Sequence, residues 1–249
     1  MILFFHDFFL SLKLYNTKAF LYADQTILIM KSIVSDIDGT LTDKKRRINI
    51  DAIRALREAE EADFKVSLCT GNIIGFALGA SKLIGTSGGV IAEDGGIISY
   101  NSKIEVSGSL EEPLRCYEFI KEKVDVAPIF LRKTGIVVYN IDVNEILDIA
   151  RKHNLNVEVT DSGFGIHIKN KGVNKGNALK KLAKMMNIDL KDTIYIGDNY
   201  NDIPAFEVVG YRIAVKNAVK ELKEKADYVT RKSYGNGGAE AIRKIIGDY

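Results

Sequence analysis

Asp36 and Asp38 stand two residues apart, where the apolar run Ile33-Val34 gives way to Gly39 and Thr40. The glycine ends the strand that the run predicts, so both acids fall at a strand terminus. Ligands of open α/β sheets bind just outside such strand ends. Two adjacent carboxylates repel unless a cation or a shared proton compensates. Hard oxygen donors placed this closely suit a divalent cation, and Mg²⁺ is the expected one.

Three more segments follow the same plan. Val66-Ser67-Leu68-Cys69 is a second apolar run and ends in Thr70-Gly71-Asn72. Lys175 lies in Asn174-Lys175-Gly176, where a helical pattern begins. Thr193-Ile194-Tyr195-Ile196 is a third run and ends in Gly197-Asp198-Asn199-Tyr200-Asn201-Asp202. In this order the chain resembles the haloacid-dehalogenase superfamily of phosphatases over residues 31–249. The long stretch between Thr70 and Lys175 is similar to the superfamily's class with a larger αβ cap. Ile84-Gly85-Thr86-Ser87-Gly88, Ala92-Glu93-Asp94-Gly95-Gly96 and Asp161-Ser162-Gly163-Phe164 resemble the small archaeal phosphoglycolate phosphatases most closely.

The resemblance implies an α/β fold, a doubly wound, Rossmann-like parallel sheet carrying an inserted smaller α+β cap. Strand-helix-strand order before residue 106 and after residue 171 agrees with a parallel core. Between them the rhythm becomes αββαββ. Helices are expected over 110–123 and 143–153, and strands at 129–131, 136–139, 157–159 and 165–168. Hairpin-joined strands of this kind predict an antiparallel sheet with helices on one face. The expected division is therefore a core of 30–106 with 171–249, and a cap of 107–170. Residues 1–29 are expected to be a leader, with Met30 as the true start. Their apolar runs are broken by Asp7, Lys13, Lys18 and Asp24 and do not reach the ~20 residues that a membrane span needs.

For a phosphate monoester, Asp36 is the best nucleophile, since carboxylates form aspartyl-phosphate intermediates. Asp38 is placed to protonate the leaving alkoxide and then to deprotonate water. Asp198 and Asp202 complete an oxygen set for Mg²⁺, directly or through water, and Asp202 also fits a helix cap. The resemblance adds the backbone carbonyl of Asp38 as a ligand. Thr70 and Lys175 are expected to bind phosphoryl oxygens, Lys175 also restraining Asp36. Gly71, Asn72, Asn201 and the backbone NH of Ile37 are secondary candidates. On the cap, Ser162 with a neighbouring NH, and Arg132 or Lys169, are candidates for a substrate carboxylate.

Lys and Arg total 35 against 33 Asp and Glu. Bulk charge therefore points neither to nucleic acid nor to a membrane, and the expected partner is a small phosphorylated metabolite, with a homodimer left open. Lys44-Lys45-Arg46-Arg47 is expected to be a solvated loop. Cys69 and Cys116 are far apart, which favours free thiols and a reducing cytoplasm. The three histidines, His6, His153 and His167, lack ligand spacing, so zinc is not expected, and His167 is read as packing. Gly235-Asn236-Gly237-Gly238 is expected to be a turn that leads into the last helix. The expected substrate is 2-phosphoglycolate. A sugar-phosphate or phosphoglycerate-ester phosphatase is the alternative, and a non-catalytic receiver-like module the reading from another class.

Overall fold

The computed structural model describes residues 32–247, together with two strand pieces, β1 (Phe20–Leu21) and β2 (Ile27–Leu28), that pair antiparallel with each other. The expectation for residues 1–29 otherwise lies outside the described residues.

β3 (Ser32–Asp36) is buried along its whole length, as a parallel strand covered on both faces must be. It is followed by α1 (Ile50–Glu61), β4 (Lys65–Cys69), α2 (Ile74–Ile84), β5 (Val90–Ala92), β6 (Ile97–Tyr100) and β7 (Lys103–Val106). Asn49 caps α1, its side chain accepting from Ala52 N. Next come α3 (Glu111–Glu118), β8 (Asp125–Val126), β9 (Gly135–Tyr139), α4 (Val143–Lys152), β10 (Val157–Asp161) and β11 (Ile166–Asn170). The chain then returns through α5 (Lys175–Met186), β12 (Thr193–Gly197), α6 (Ile203–Phe206) and β13 (Tyr211–Ala214). It ends with α7 (Lys220–Glu224), β14 (Tyr228–Val229) and α8 (Tyr234–Ile246).

The large sheet has the order β14-β13-β12-β3-β4-β5-β6-β7, parallel from β14 to β5 and antiparallel beyond. Strands following β3 lie on one side of it, whereas β12 to β14 lie on the other. The switch point of this Rossmann-like sheet therefore falls between β3 and β12, where such folds bind ligands. Ile33, Leu56, Leu68, Leu179, Ile196 and Ile242 belong to one continuous core around it.

The smaller sheet is antiparallel throughout, in the order β10-β11-β9-β8. Its apolar face, with Ile136, Val138, Ile166 and Ile168, packs with Cys116 and Ile146 from α3 and α4 as a separate cluster.

Several expectations need correction. The helix over 110–123 stops at Glu118 and continues only as turns. Residues 129–131 are a 3-10 turn, not a strand, and Phe130 is 86% exposed. Pro128, which precedes them, cannot donate a backbone hydrogen bond to a ladder, and β8 pairs with β9 instead. The glycine run at 235–238 is the first turn of α8 itself. A Cβ on Gly238 would come within 2.6 Å of Thr40 O, so the glycines let the helix approach the loop after β3.

Candidate active site

The register of the parallel ladders gathers the motifs at one edge. Asp36 is paired with Cys69, which puts Thr70 one step beyond it. Ser35 is paired with Ile196, which puts Gly197 and then Asp198 alongside. After Asp36 the chain turns sharply, with Leu41 N donating to Ile37 O at 2.8 Å and Gly39 at φ 91°. Only glycine adopts that φ freely, and a Cβ there would overlap the Asp198 carboxylate. Thr40 Oγ1 donates to Asp198 Oδ1 at 3.1 Å.

Lys175 opens α5 behind capping Asn174 and is fully buried. Its Nζ lies 2.6 Å from Asp36 Oδ1 and 2.6 Å from Asp202 Oδ1. Asp202 is saturated. Oδ1 also accepts from Tyr195 Oη at 2.8 Å, and Oδ2 accepts from Asp198 N at 2.9 Å and Asn199 N at 3.0 Å. The last bond belongs to a capping box with Asn199, so the expected capping role coexists with the ion pair. Among the described residues, the second oxygens of Asp36 and Asp198 have no such protein donor.

Burial pushes the Asp36 carboxyl well above the usual carboxylate range. Lys175 opposes this, and the charges of Asp202 and Asp198 add to it. Burial and then Asp202 push Asp198 up to about 7. Lys175 is shifted upward: burial works against its charge, but Asp202 and Asp36 outweigh it. Carboxylate oxygens of Asp36, Asp198 and Asp202 lie within 4.8 Å of one another, against the one ammonium of Lys175. Excess negative charge out of water is costly. Two carboxylates with free oxygens, backed by a saturated third, fit a hard divalent cation. Cys69 offers no rival nucleophile, since burial pushes its thiol up to about 12.

A cleft of about 200 Å³ separates this edge from the smaller sheet. Asp36, Asp38, Thr70, Gly71, Asn72 and Asp198 line one wall and Ser162 the other. Lys175 and Asp202 sit behind the wall with no exposure. Thr70 Oγ1 accepts from Asn72 N at 3.0 Å, which leaves its own hydrogen free for a ligand. The candidate Lys169 is buried and 3.7 Å from Glu158, and does not line the cleft.

Three residues of the cleft went unread in the sequence. Arg46 is not a merely solvated member of the basic run. Its Nε lies 2.9 Å from Asp38 Oδ1, and its guanidinium sits 5.0 Å from the centre of the Phe164 ring. The bridge between Thr42 and Ile48 folds that loop back over the site. His167 is not simple packing, since it too lines the cleft, with Nδ1 2.9 Å from Asp94 Oδ2. Period-2 alternation in Ile166-His167-Ile168-Lys169 does place His167 and Lys169 on one strand face, but that face is covered by the body. Asn199, the third, donates through Nδ2 to Ser162 O at 2.7 Å and ties the two walls together.

Glu93 and Asp94 both take left-handed backbone, at φ 50° and 54°, a cost of ~1–2 kcal/mol each for non-glycine residues. Contacts across the cleft's end hold them. Glu93 accepts from Lys133 N and from Thr134 N and Oγ1, and Asp94 Oδ1 accepts from Asn201 Nδ2 at 2.9 Å. Burial would raise Asp94, but the charges of His167 and Lys169 hold it well below the usual carboxylate range.

The model of the haloacid dehalogenase-like hydrolase family matches residues 33–162 and 138–242. A phosphoglycolate phosphatase of Methanothermobacter thermautotrophicus is 42% identical, over 88% of this chain and 100% of its own length. Another, from Methanosarcina acetivorans, is 39% identical over 85% of this chain and 95% of its own. Among solved structures, a Thermoplasma acidophilum protein superposes with a TM-score of 0.78 at 28% identity, covering 87% of this chain and 98% of that one.

Proposed function

This chain belongs to the haloacid dehalogenase-like hydrolases, and from that premise we propose that it is a Mg²⁺-dependent phosphatase that converts 2-phosphoglycolate to glycolate and phosphate. The observation that carries the reading is Lys175 Nζ at 2.6 Å from both Asp36 and Asp202, at the switch point where Thr70 and Asp198 converge. The names of the archaeal relatives support the substrate.

Asp36, Asp198 and the backbone carbonyl of Asp38 would hold the Mg²⁺, with Asp202 behind them, and the bound ion would offset their charge and that of the phosphoryl oxygens. Lys175 holds the Asp36 carboxylate in place for its attack on phosphorus. The P–O bond to the alkoxide breaks as the P–O bond to Asp36 forms. Asp38 gives its proton to the departing alkoxide. It then takes a proton from water, which attacks the phosphorus of the phosphorylated aspartate. Phosphate leaves and Asp36 is regenerated. Thr70 Oγ1, the backbone NH groups of Gly71 and Asn72, and Lys175 receive the charge spread over the equatorial oxygens. Ser162 lines the other wall, a cap that we take as 107–170.

A receiver-like module has no use for an acid beside the nucleophile, nor for a second wall that closes a cleft over it. No helix among the described residues is long and apolar enough to cross a membrane, and we place the enzyme in the cytoplasm. The test is phosphate release from a panel of phosphorylated metabolites, with and without Mg²⁺. Turnover of 2-phosphoglycolate ahead of sugar phosphates and phosphoglycerates is expected. Preference for a sugar phosphate would reject the substrate, and no release from any ester would reject the activity.

A further inference from the structure

Arg132 is 8% exposed and lines the cleft. Its Nε donates to Gly135 O at 2.9 Å and its Nη2 to Gly71 O at 3.0 Å. No carboxylate lies within ion-pair distance of it among the described residues. A guanidinium has five N–H donors in a rigid fork, so these two bonds fix its plane and leave donors over. Glu93 and Asp94 act on it only through space, so an enclosed guanidinium with donors to spare is open to an anionic ligand.

His167 reaches the same place from β11. A Cβ on Gly71 would lie 2.7 Å from His167 Cε1, so the imidazole rests directly on Gly71. Its Nδ1 faces Asp94 Oδ2, which has no other hydrogen-bond partner, and its Nε2 lies 3.1 Å from Ser162 Oγ. Ser162 Oγ donates its single hydrogen to Gly165 O at 2.9 Å. Both imidazole nitrogens are thus engaged, one by Asp94 and one by Ser162. The Arg132 guanidinium and the His167 imidazole therefore converge on Gly71, the residue next to Thr70.

We propose that Arg132 and His167 form a second anion subsite beside the phosphoryl site and that it binds the carboxylate of the substrate. The inference rests on the phosphatase reading above. Arg132 presents the planar fork that matches a carboxylate. Asp94 and Ser162 are positioning residues that keep the imidazole aimed at Gly71.

The test compares 2-phosphoglycolate with ethyl phosphate, which has the same length and no carboxylate. Full-length protein with Mg²⁺ is used as wild type, Arg132→Lys and His167→Gln. Wild type is expected to favour 2-phosphoglycolate by at least ~10²-fold in kcat/KM, as sites built to bind a polar group reject analogues lacking it. In each variant that ratio is expected to fall at least ~10-fold, chiefly through a higher KM for 2-phosphoglycolate, the sign of a lost ground-state anchor. Arg132→Lys keeps the charge without the fork, so a fall there separates geometry from charge. A wild-type ratio near one overturns the subsite while leaving the phosphatase reading intact. Equal losses on both esters, with the ratio unchanged, also overturn it. If wild type turns over neither ester, the phosphatase reading and the subsite fall together.

Discussion

On the body wall of the cleft, the candidate catalytic side chains come from the end of a parallel strand or the start of the helix beside it. Asp36 ends β3, Thr70 follows β4, Asp198 follows β12 and Lys175 opens α5. On the cap wall, Arg132 and Ser162 come from turns and His167 from one strand of a sheet with its own core. The body wall is stiff, since neighbouring strands fix its register to one residue. The cap wall depends on a few bonds between elements far apart in sequence, Asn199 to Ser162 O and Arg132 to Gly71 O among them. On the proposed function, chemistry resides where the backbone is over-determined, and selection where a small number of polar contacts can be exchanged.

The sharpest way to break that division is Asp36→Asn. The amide keeps the shape but cannot attack, so turnover of every ester should fall by more than the ~10²–10⁴-fold of a lost general acid or base, with the melting temperature kept. Loss confined to carboxylate-bearing esters would move Asp36 to the selecting side. Lys175→Met comes next. It leaves Asp36 and Asp202 buried without their cation, an effect of ~3–5 kcal/mol for a broken buried pair. Denaturant unfolding should register that loss, together with a fall in kcat on all substrates. Unchanged stability would contradict the ion-pair assignment.

Metal and pH probe the same wall. Asp198 titrates near 7 in the folded chain, above its unfolded value near 3.9. Its folded form thus holds the extra proton, and the stability it lends is present below the unfolded value and lost as pH rises toward 7. Chelated protein should melt at a lower temperature at pH 8 than at pH 5, and Mg²⁺ should raise melting more at pH 8. An equal effect of Mg²⁺ at both values would show that it binds elsewhere. The smallest expected effect crosses between the walls. Arg46→Gln removes an ion pair with one half-exposed partner and should lower kcat/KM by about fivefold, the scale of such pairs. A loss as large as that of Asp36→Asn would make Arg46 part of the chemistry.

The body wall was legible in the sequence because each motif is local: a few residues encode the strand, its end and the acid placed there. The parallel core was legible for the same reason, through buried runs such as Ile194-Tyr195-Ile196. Arg46 and His167 were not. Each owes its place to a fold-back or a covered sheet face, which one strand's pattern does not encode. The strand expected at 129–131 failed similarly: three apolar residues satisfied the pattern, while Pro128 and an exposed Phe130 made them a turn.

The most direct measurement is acid quenching of the enzyme during turnover of 2-phosphoglycolate with Mg²⁺, followed by peptide mass spectrometry. The expected result is one phosphoryl group on the peptide that contains Asp36, located to Asp36 and absent from Asp36→Asn. A phosphoryl group on another residue, or steady turnover by Asp36→Asn, would contradict a body wall whose chemistry begins at Asp36.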